Sequence, residues 1–130
     1  ANHASPLVTL EHPLRGRVIA AMLSGDRFGL PTPVITEVVS GFLLLPRSAQ
    51  NQQEWDRLRP GFRAYSIDED TAITAAHIRV LLRRQGRQLQ TVDALVAAVA
   101  LRERLVLLTT DRDFDAVPEL YAENWLKSER

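Results

Sequence analysis

The chain has 130 residues, of which 45% are apolar and 25% charged, a balance that suits one globular domain and excludes a disordered chain. Its 16 basic and 16 acidic side chains cancel, so no global field draws in nucleic acid or anionic lipid. With no cysteine there is no disulfide scaffold, thiolate nucleophile or cysteine zinc site, which suits a reducing, cytoplasmic setting. The longest apolar run, Ala94 to Leu101, is too short to span a bilayer, and Ala1 to His12 lacks the pattern of a signal peptide. A single domain over residues 1–130, with no membrane contact, is the expectation.

Proline and glycine punctuate the chain. Ala1 to Pro13 has no periodicity and reads as loop. Leu14, Val18, Ala21 and Met22 then recur at helical spacing until Gly25. Phe28-Gly29-Leu30 is a short strand, followed by Thr32 as an N-cap and a helix from Pro33 to Leu44. Val34, Val38 and Phe42 form the apolar stripe of that helix. Ser48 is placed to cap a polar helix that ends at Pro60-Gly61, and Phe62 to Ile67 alternates as a strand. Asp68 is an N-cap, with Glu69 and Asp70 in the first turn of a helix that stops near Gly86. A further helix starts at Thr91 and runs through Leu101. Leu105 to Leu108 is an unbroken apolar run of the kind buried on both faces of a parallel sheet. A last strand is expected around Glu123 to Leu126. Helices alternating with short apolar strands predict an α/β class with a parallel sheet, in which chemistry gathers beyond the carboxyl ends of the strands.

Three acids stand out by context. Glu37 interrupts an apolar helix, Asp93 lies in the first turn of the helix from Thr91, and Asp111 follows the apolar run ending at Leu108. Each has a plainer explanation taken alone: a solvent-facing position, a favourable charge at a helix start, a turn residue. Taken together, carboxylates at strand ends and helix starts form an oxygen-lined site for a hard cation, since like charges a few ångströms apart repel without one.

Thr36-Glu37-Val38, Thr91-Val92-Asp93-Ala94-Leu95-Val96-Ala97 and Leu108-Thr109-Thr110-Asp111-Arg112-Asp113-Phe114 resemble, in order and spacing, three motifs of the PIN-domain family. More narrowly they resemble VapC-type toxins of bacterial toxin–antitoxin pairs. The resemblance implies an α/β/α three-layer sandwich with a central parallel β-sheet and a Mg²⁺- or Mn²⁺-dependent endoribonuclease. It also implies a homodimer and a cognate VapB-type antitoxin that blocks the acidic site. On that reading Glu37, Asp93 and Asp111 are catalytic and bind metal, Asp113 helps in the same loop, and Thr109 supports a carboxylate or water through its hydroxyl. The family opens with an apolar strand ending in Asp-x-Asn, and Ala1-Asn2-His3 is similar to the end of that motif, which gives Asn2 a supporting place. The first strand and its aspartate are therefore expected immediately before Ala1. A chain lacking them would bind metal poorly, and the alternative is a PIN-like module that binds antitoxin or RNA without cleaving.

Other signals point elsewhere or nowhere. His3, His12 and His77 have no zinc-ligand spacing, and no phosphate-binding glycine loop or serine-hydrolase elbow occurs. The strand and Asp-x-Asp from Leu105 to Asp113 is similar to a haloacid dehalogenase phosphatase motif, but that motif normally leads its domain, and the seventeen residues after Asp113 do not supply the expected lysine-then-acid arrangement. A phosphoreceiver domain lacks support without a well-placed early acid pair and late lysine. Arg79, Arg83, Arg84 and Arg87 make a local basic cluster, explained either as a solvated helix end or as a contact for RNA phosphates. Arg83 and Arg84 in it, and Arg15 near the first helix, are the candidate RNA contacts. Trp55 and Trp125 are expected to be packing residues.

Overall fold

The computed structural model describes residues 13–109 and 111–125, without the side chains of 13–16. Asn2, the side chain of Arg15, and Leu126 lie outside the described residues, as does the region of the expected first strand. The chain divides into two compact units, Ala1–Tyr65 and Ser66–Arg130.

In the first unit, helix α1 (Pro13–Leu23) precedes strand β1 (Phe28–Pro31), helices α2 (Thr32–Leu43) and α3 (Ser48–Leu58), a 3-10 turn at Arg59–Gly61, and strand β2 (Phe62–Tyr65). β1 and β2 pair in parallel, with Leu30 opposite Ala64 and Pro31 opposite Tyr65. Proline has no N–H to extend a ladder, so the strand expected to reach Ile67 ends at Tyr65. Gly29 lets the two strands approach, because a Cβ there would run into the Tyr65 ring. The apolar stripe of α2 is realised as predicted, with Val34, Val38 and Phe42 all buried. Phe42 meets Trp55 edge-on at 5.8 Å between ring centres, and Trp55 stacks on Phe62 at 6.5 Å. Trp55 is therefore a core residue, and such aromatic pairs add to area burial. Two expected caps are displaced. α2 is already helical at Thr32, with Pro31 in the cap position, and Arg47 rather than Ser48 precedes α3; neither cap residue uses its side chain.

In the second unit, helix α4 (Glu69–Arg84) and helix α5 (Thr91–Glu103) lead to strand β3 (Leu107–Leu108), a 3-10 turn at Arg112–Ala116 and strand β4 (Ala122–Glu123), parallel to β3. Asp68 caps α4 as expected, accepting from the Thr71 amide at 2.8 Å and its hydroxyl at 2.6 Å. Gly86 closes the helix with a φ of 75°, which glycine adopts without penalty. α4 buries Thr71, Ala75, Ile78 and Leu82 at helical spacing. α5 buries Ala94 and every residue from Val96 to Ala100, so it is enclosed on most of its circumference. Alanine at four of these positions lets neighbouring backbones come close. The core joins Ala75, Ile78, Leu82, Leu89, Ala94, Ala97, Ala98, Phe114 and Val117.

Arg102, in the last turn of α5, fastens that helix to the start of α4. Its guanidinium donates to the Ser66 carbonyl at 3.0 Å and the Thr71 hydroxyl at 2.6 Å, and lies 3.8 Å from the Asp68 carboxylate. The C-cap, Arg104, is left-handed with φ 54°, and the Leu105 amide bonds back to Ala100 O at 2.8 Å. Leu105 thus belongs to the helix terminus, and the strand predicted over Leu105–Leu108 shrinks to two residues. Its expected burial on both faces is also corrected: Val106 is 51% exposed, and Leu107 and Leu108 are half-buried. The last strand falls at Ala122–Glu123, earlier than predicted, where Tyr121 O and Glu123 O accept from Leu107 and Thr109 amides at 2.9 and 3.0 Å.

Leu82 has no exposed surface, so Leu82→Ala should cost about 2–5 kcal/mol in urea denaturation. The hydrogen bonds from Thr71, with a smaller contribution from Arg102, hold the Asp68 carboxyl below the ordinary carboxylate range. A depressed native pKa stabilises the fold above the unfolded pKa of about 4, and that gain is lost as pH falls through the native value. The melting temperature of the protein should therefore exceed that of Asp68→Asn at pH 7, and the gap should close below about pH 4.

Candidate acidic site

Asp111 stands just beyond the carboxyl end of β3, where a parallel α/β arrangement exposes functional side chains. Two hydrogen bonds shape its loop. The Thr109 hydroxyl accepts from the Asp111 amide at 3.1 Å, and Asp111 Oδ1 accepts from the Asp113 amide at 2.8 Å. Asp111 thereby caps the 3-10 turn Arg112–Ala116. Phe114, buried in the core with Val117, then pins the far side of the turn. Thr109 is itself buried, so the hydroxyl is a fixed anchor and does not compete with solvent.

The expected partner of the Thr109 hydroxyl is a carboxylate or water; the structure gives it the Asp111 backbone amide. One carboxylate oxygen of Asp111 accepts from the Asp113 amide. Asp113 is half-buried, and its Oδ1 lies 3.9 Å from an Arg87 guanidinium nitrogen.

Asp93 occupies the first turn of α5 and is half-buried. The Gln90 side chain makes no cap bond, so the positive end of the helix dipole is left for acids and ligands near it. Ala94, the next residue, enters the same core as Phe114. α5 and β3 are joined by a tight reversal at Arg104, so the N-terminus of the helix and the carboxyl end of the strand belong to the same end of the unit. The neighbours of Asp93 and Asp113 in sequence, Ala94 and Phe114, share one core cluster.

Glu37 is exposed on α2, next to buried Val38, and belongs to the first unit. Arg83 and Arg84 are exposed on the last turn of α4. Arg79 has a structural use, its Nε donating to Leu89 O at 3.2 Å. His77 is exposed. The contact that residue patterns did not single out is Arg87 with Asp113; the basic cluster was visible, but not which arginine faces the acids.

The donors in the second unit are all carboxylate oxygens, the chemistry of a hard divalent cation. Among the described residues no three acidic, histidine or cysteine side chains form a closed cage. Mg²⁺ keeps several waters and commonly binds one or two protein carboxylates together with substrate phosphates, so an open carboxylate pair suits it better than it would suit a caged ion.

The PIN domain family model matches residues 4–120, a span that runs through both units. The chain belongs to the PIN-domain family. Ribonuclease VapC51 of Mycobacterium tuberculosis is 33% identical over 87 residues, 64% of this chain; the match spans 60% of that relative's length. VapBC2 from Rickettsia felis, solved bound to a DNA fragment from its promoter, superimposes with a TM-score of 0.80 at 19% identity, covering 95% of this chain and 92% of that one. FitAcB from Neisseria gonorrhoeae gives a TM-score of 0.73 at 26% identity, covering 95% and 93%. The fold is thus that of the PIN domain, an α/β class with parallel strands as read from the sequence, and its relatives here are of the VapC type.

Thr109→Val removes the acceptor for the Asp111 amide. It should destabilise the chain by about 1 kcal/mol in urea denaturation with EDTA present, a measurement in which metal plays no part.

Proposed function

We propose that the chain is a metal-dependent endoribonuclease toxin of the VapC type, hydrolysing RNA phosphodiesters and restrained by a cognate VapB-type antitoxin. The carrying observation is the family match through residues 4–120 on a chain whose post-strand loop holds Asp111 and Asp113 in a fixed turn. VapC51 is named as a ribonuclease, which supports the activity, and VapBC2 is named as a VapBC assembly, which supports the antitoxin. In this reading the chain works as a cytoplasmic homodimer, and Glu37 keeps the catalytic, metal-binding role that the motif resemblance implies.

Asp93, Asp111 and Asp113 would hold Mg²⁺ or Mn²⁺. When bound, such an ion lowers the pKa of a coordinated water and neutralises charge on the phosphate. The protein's own residues do the rest. Thr109 holds the Asp111 backbone amide and the Asp113 amide holds the Asp111 carboxylate, which limits the reorganisation required on binding. The α5 N-terminus favours an anionic group beside Asp93.

The test is cleavage of a panel of structured RNAs with Mn²⁺. Cutting should vanish in EDTA, and Asp93→Asn or Asp111→Asn should each lower it by more than the roughly 10–100-fold that loss of an outer supporting residue costs a metal site. RNA or antitoxin binding with no metal-dependent cutting would replace this reading with that of a non-cleaving module.

A further inference from the structure

We infer that Arg87 is the RNA-phosphate contact of this site, the one member of the Arg79–Arg87 basic cluster that the fold turns toward the acids. The inference rests on the ribonuclease reading and names a residue for substrate recognition.

Both ends of the Arg87–Asp113 pair are held by backbone. On one side, the Arg87 amide bonds to Leu82 O at 2.9 Å and the Gly86 amide to Arg83 O at 3.0 Å, a glycine-closed helix end that fixes where residue 87 leaves α4. Two residues on, Leu89 is buried in the core, and its carbonyl is bound by Arg79. The segment carrying Arg87 is therefore short and tied at both ends. On the other side, Asp113 is fixed by its amide bond to Asp111.

The contact between the side chains is looser. At 3.9 Å, with 45% of the Arg87 side chain and 48% of the Asp113 side chain exposed, it is an ion pair without a hydrogen bond, and pairs of this kind contribute little. The guanidinium has five donors in a planar fork, and a contact of this length leaves them able to take a stronger acceptor. A phosphate oxygen pair entering beside the Asp111–Asp113 loop offers a bidentate acceptor of the shape that fork matches. It also meets repulsion from the acids, which a cation at the rim offsets. Arg83 and Arg84 carry the same charge but leave α4 before the turn, and Arg79 is committed to Leu89.

The experiment is a titration of fluorescein-labelled single-stranded RNA in EDTA, followed by fluorescence anisotropy at several salt concentrations. The full chain would be compared with Arg87→Ala, Arg87→Lys and a charge-matched control, Arg47→Ala, in the other unit. Arg87→Ala should weaken binding about fivefold to tenfold and reduce the slope of log affinity against log salt by about 0.7, the value of one phosphate contact on a single strand. Arg87→Lys should restore the slope and only part of the affinity, because it keeps the charge and loses the fork. In Mn²⁺ cleavage assays, Arg87→Ala should raise KM while kcat stays within about twofold.

Unchanged affinity and slope in Arg87→Ala, an equal loss in Arg47→Ala, or no RNA binding by the unsubstituted chain would each overturn the inference. RNA binding that depends on Arg87 without cleavage in Mn²⁺ would uphold it and overturn the nuclease reading. Cleavage that is indifferent to Arg87 would do the reverse.

Discussion

The enclosure of α5 is the constraint on which the second unit depends. A helix buried on most of its circumference must present small side chains where neighbours approach, and Ala94, Ala97, Ala98 and Ala100 supply them. That leaves little apolar bulk on the helix itself, so the larger groups around it, Ile78, Leu82, Leu89 and Phe114, fill the interior. Close packing of this kind fixes rotation and height together, because a shift in either opens voids. Arg102 adds direction. Its bonds to Ser66 and Thr71 tie the end of α5 to the beginning of α4, through a hydroxyl that also donates to the Asp68 carboxylate.

Stability and chemistry are consequently kept apart. The core lies between α4, α5 and the turn after Asp111, whereas Asp93, Asp111 and Asp113 are half-buried. None of these three acids belongs to that core. They are held by neighbours that do pack: Ala94 beside Asp93, and Phe114 beside Asp113. A PIN domain arranged this way can carry an electrostatically costly site because the residues next to each charge are fixed by the core.

Much of the fold is legible in the sequence because it is written in local signals. The Asp68 cap, the Gly86 stop, the start of α5 at Thr91 and the Val34–Val38–Phe42 stripe each need only a few adjacent residues. Other features need partners far along the chain, and there local signals mislead. Leu105 reads as strand because it is apolar, yet its amide closes the α5 terminus. Thr32 is a good capping residue, but Pro31 takes that position. The candidate site divides in the same way. Asp111 with Thr109 and Asp113 is a local turn, and the structure shows it. The association of Glu37 and Asp93 with that turn came from motif resemblance, since periodicity gives no distance between acids. Arg102 with Thr71 and Arg87 with Asp113 are long-range pairs, which no spacing rule would single out from other arginines.

The left-handed residue at Arg104 gives the second unit a measuring function. From Asp93 to Glu103 the helix climbs about 15 Å at roughly 1.5 Å per residue. The chain then reverses, and the extended run from Leu105 to Thr109 returns about 13 Å at roughly 3.3 Å per residue. The two arms nearly match in length. The gauge is discrete. One residue more in the helical arm would turn Asp93 by about 100° as well as lift it, whereas one more in the extended arm would turn Leu107 and Leu108 to opposite faces. Neither arm can be tuned by small steps, so among proteins built to this plan the number of residues in each arm should be held as strictly as the small side chains of the helix.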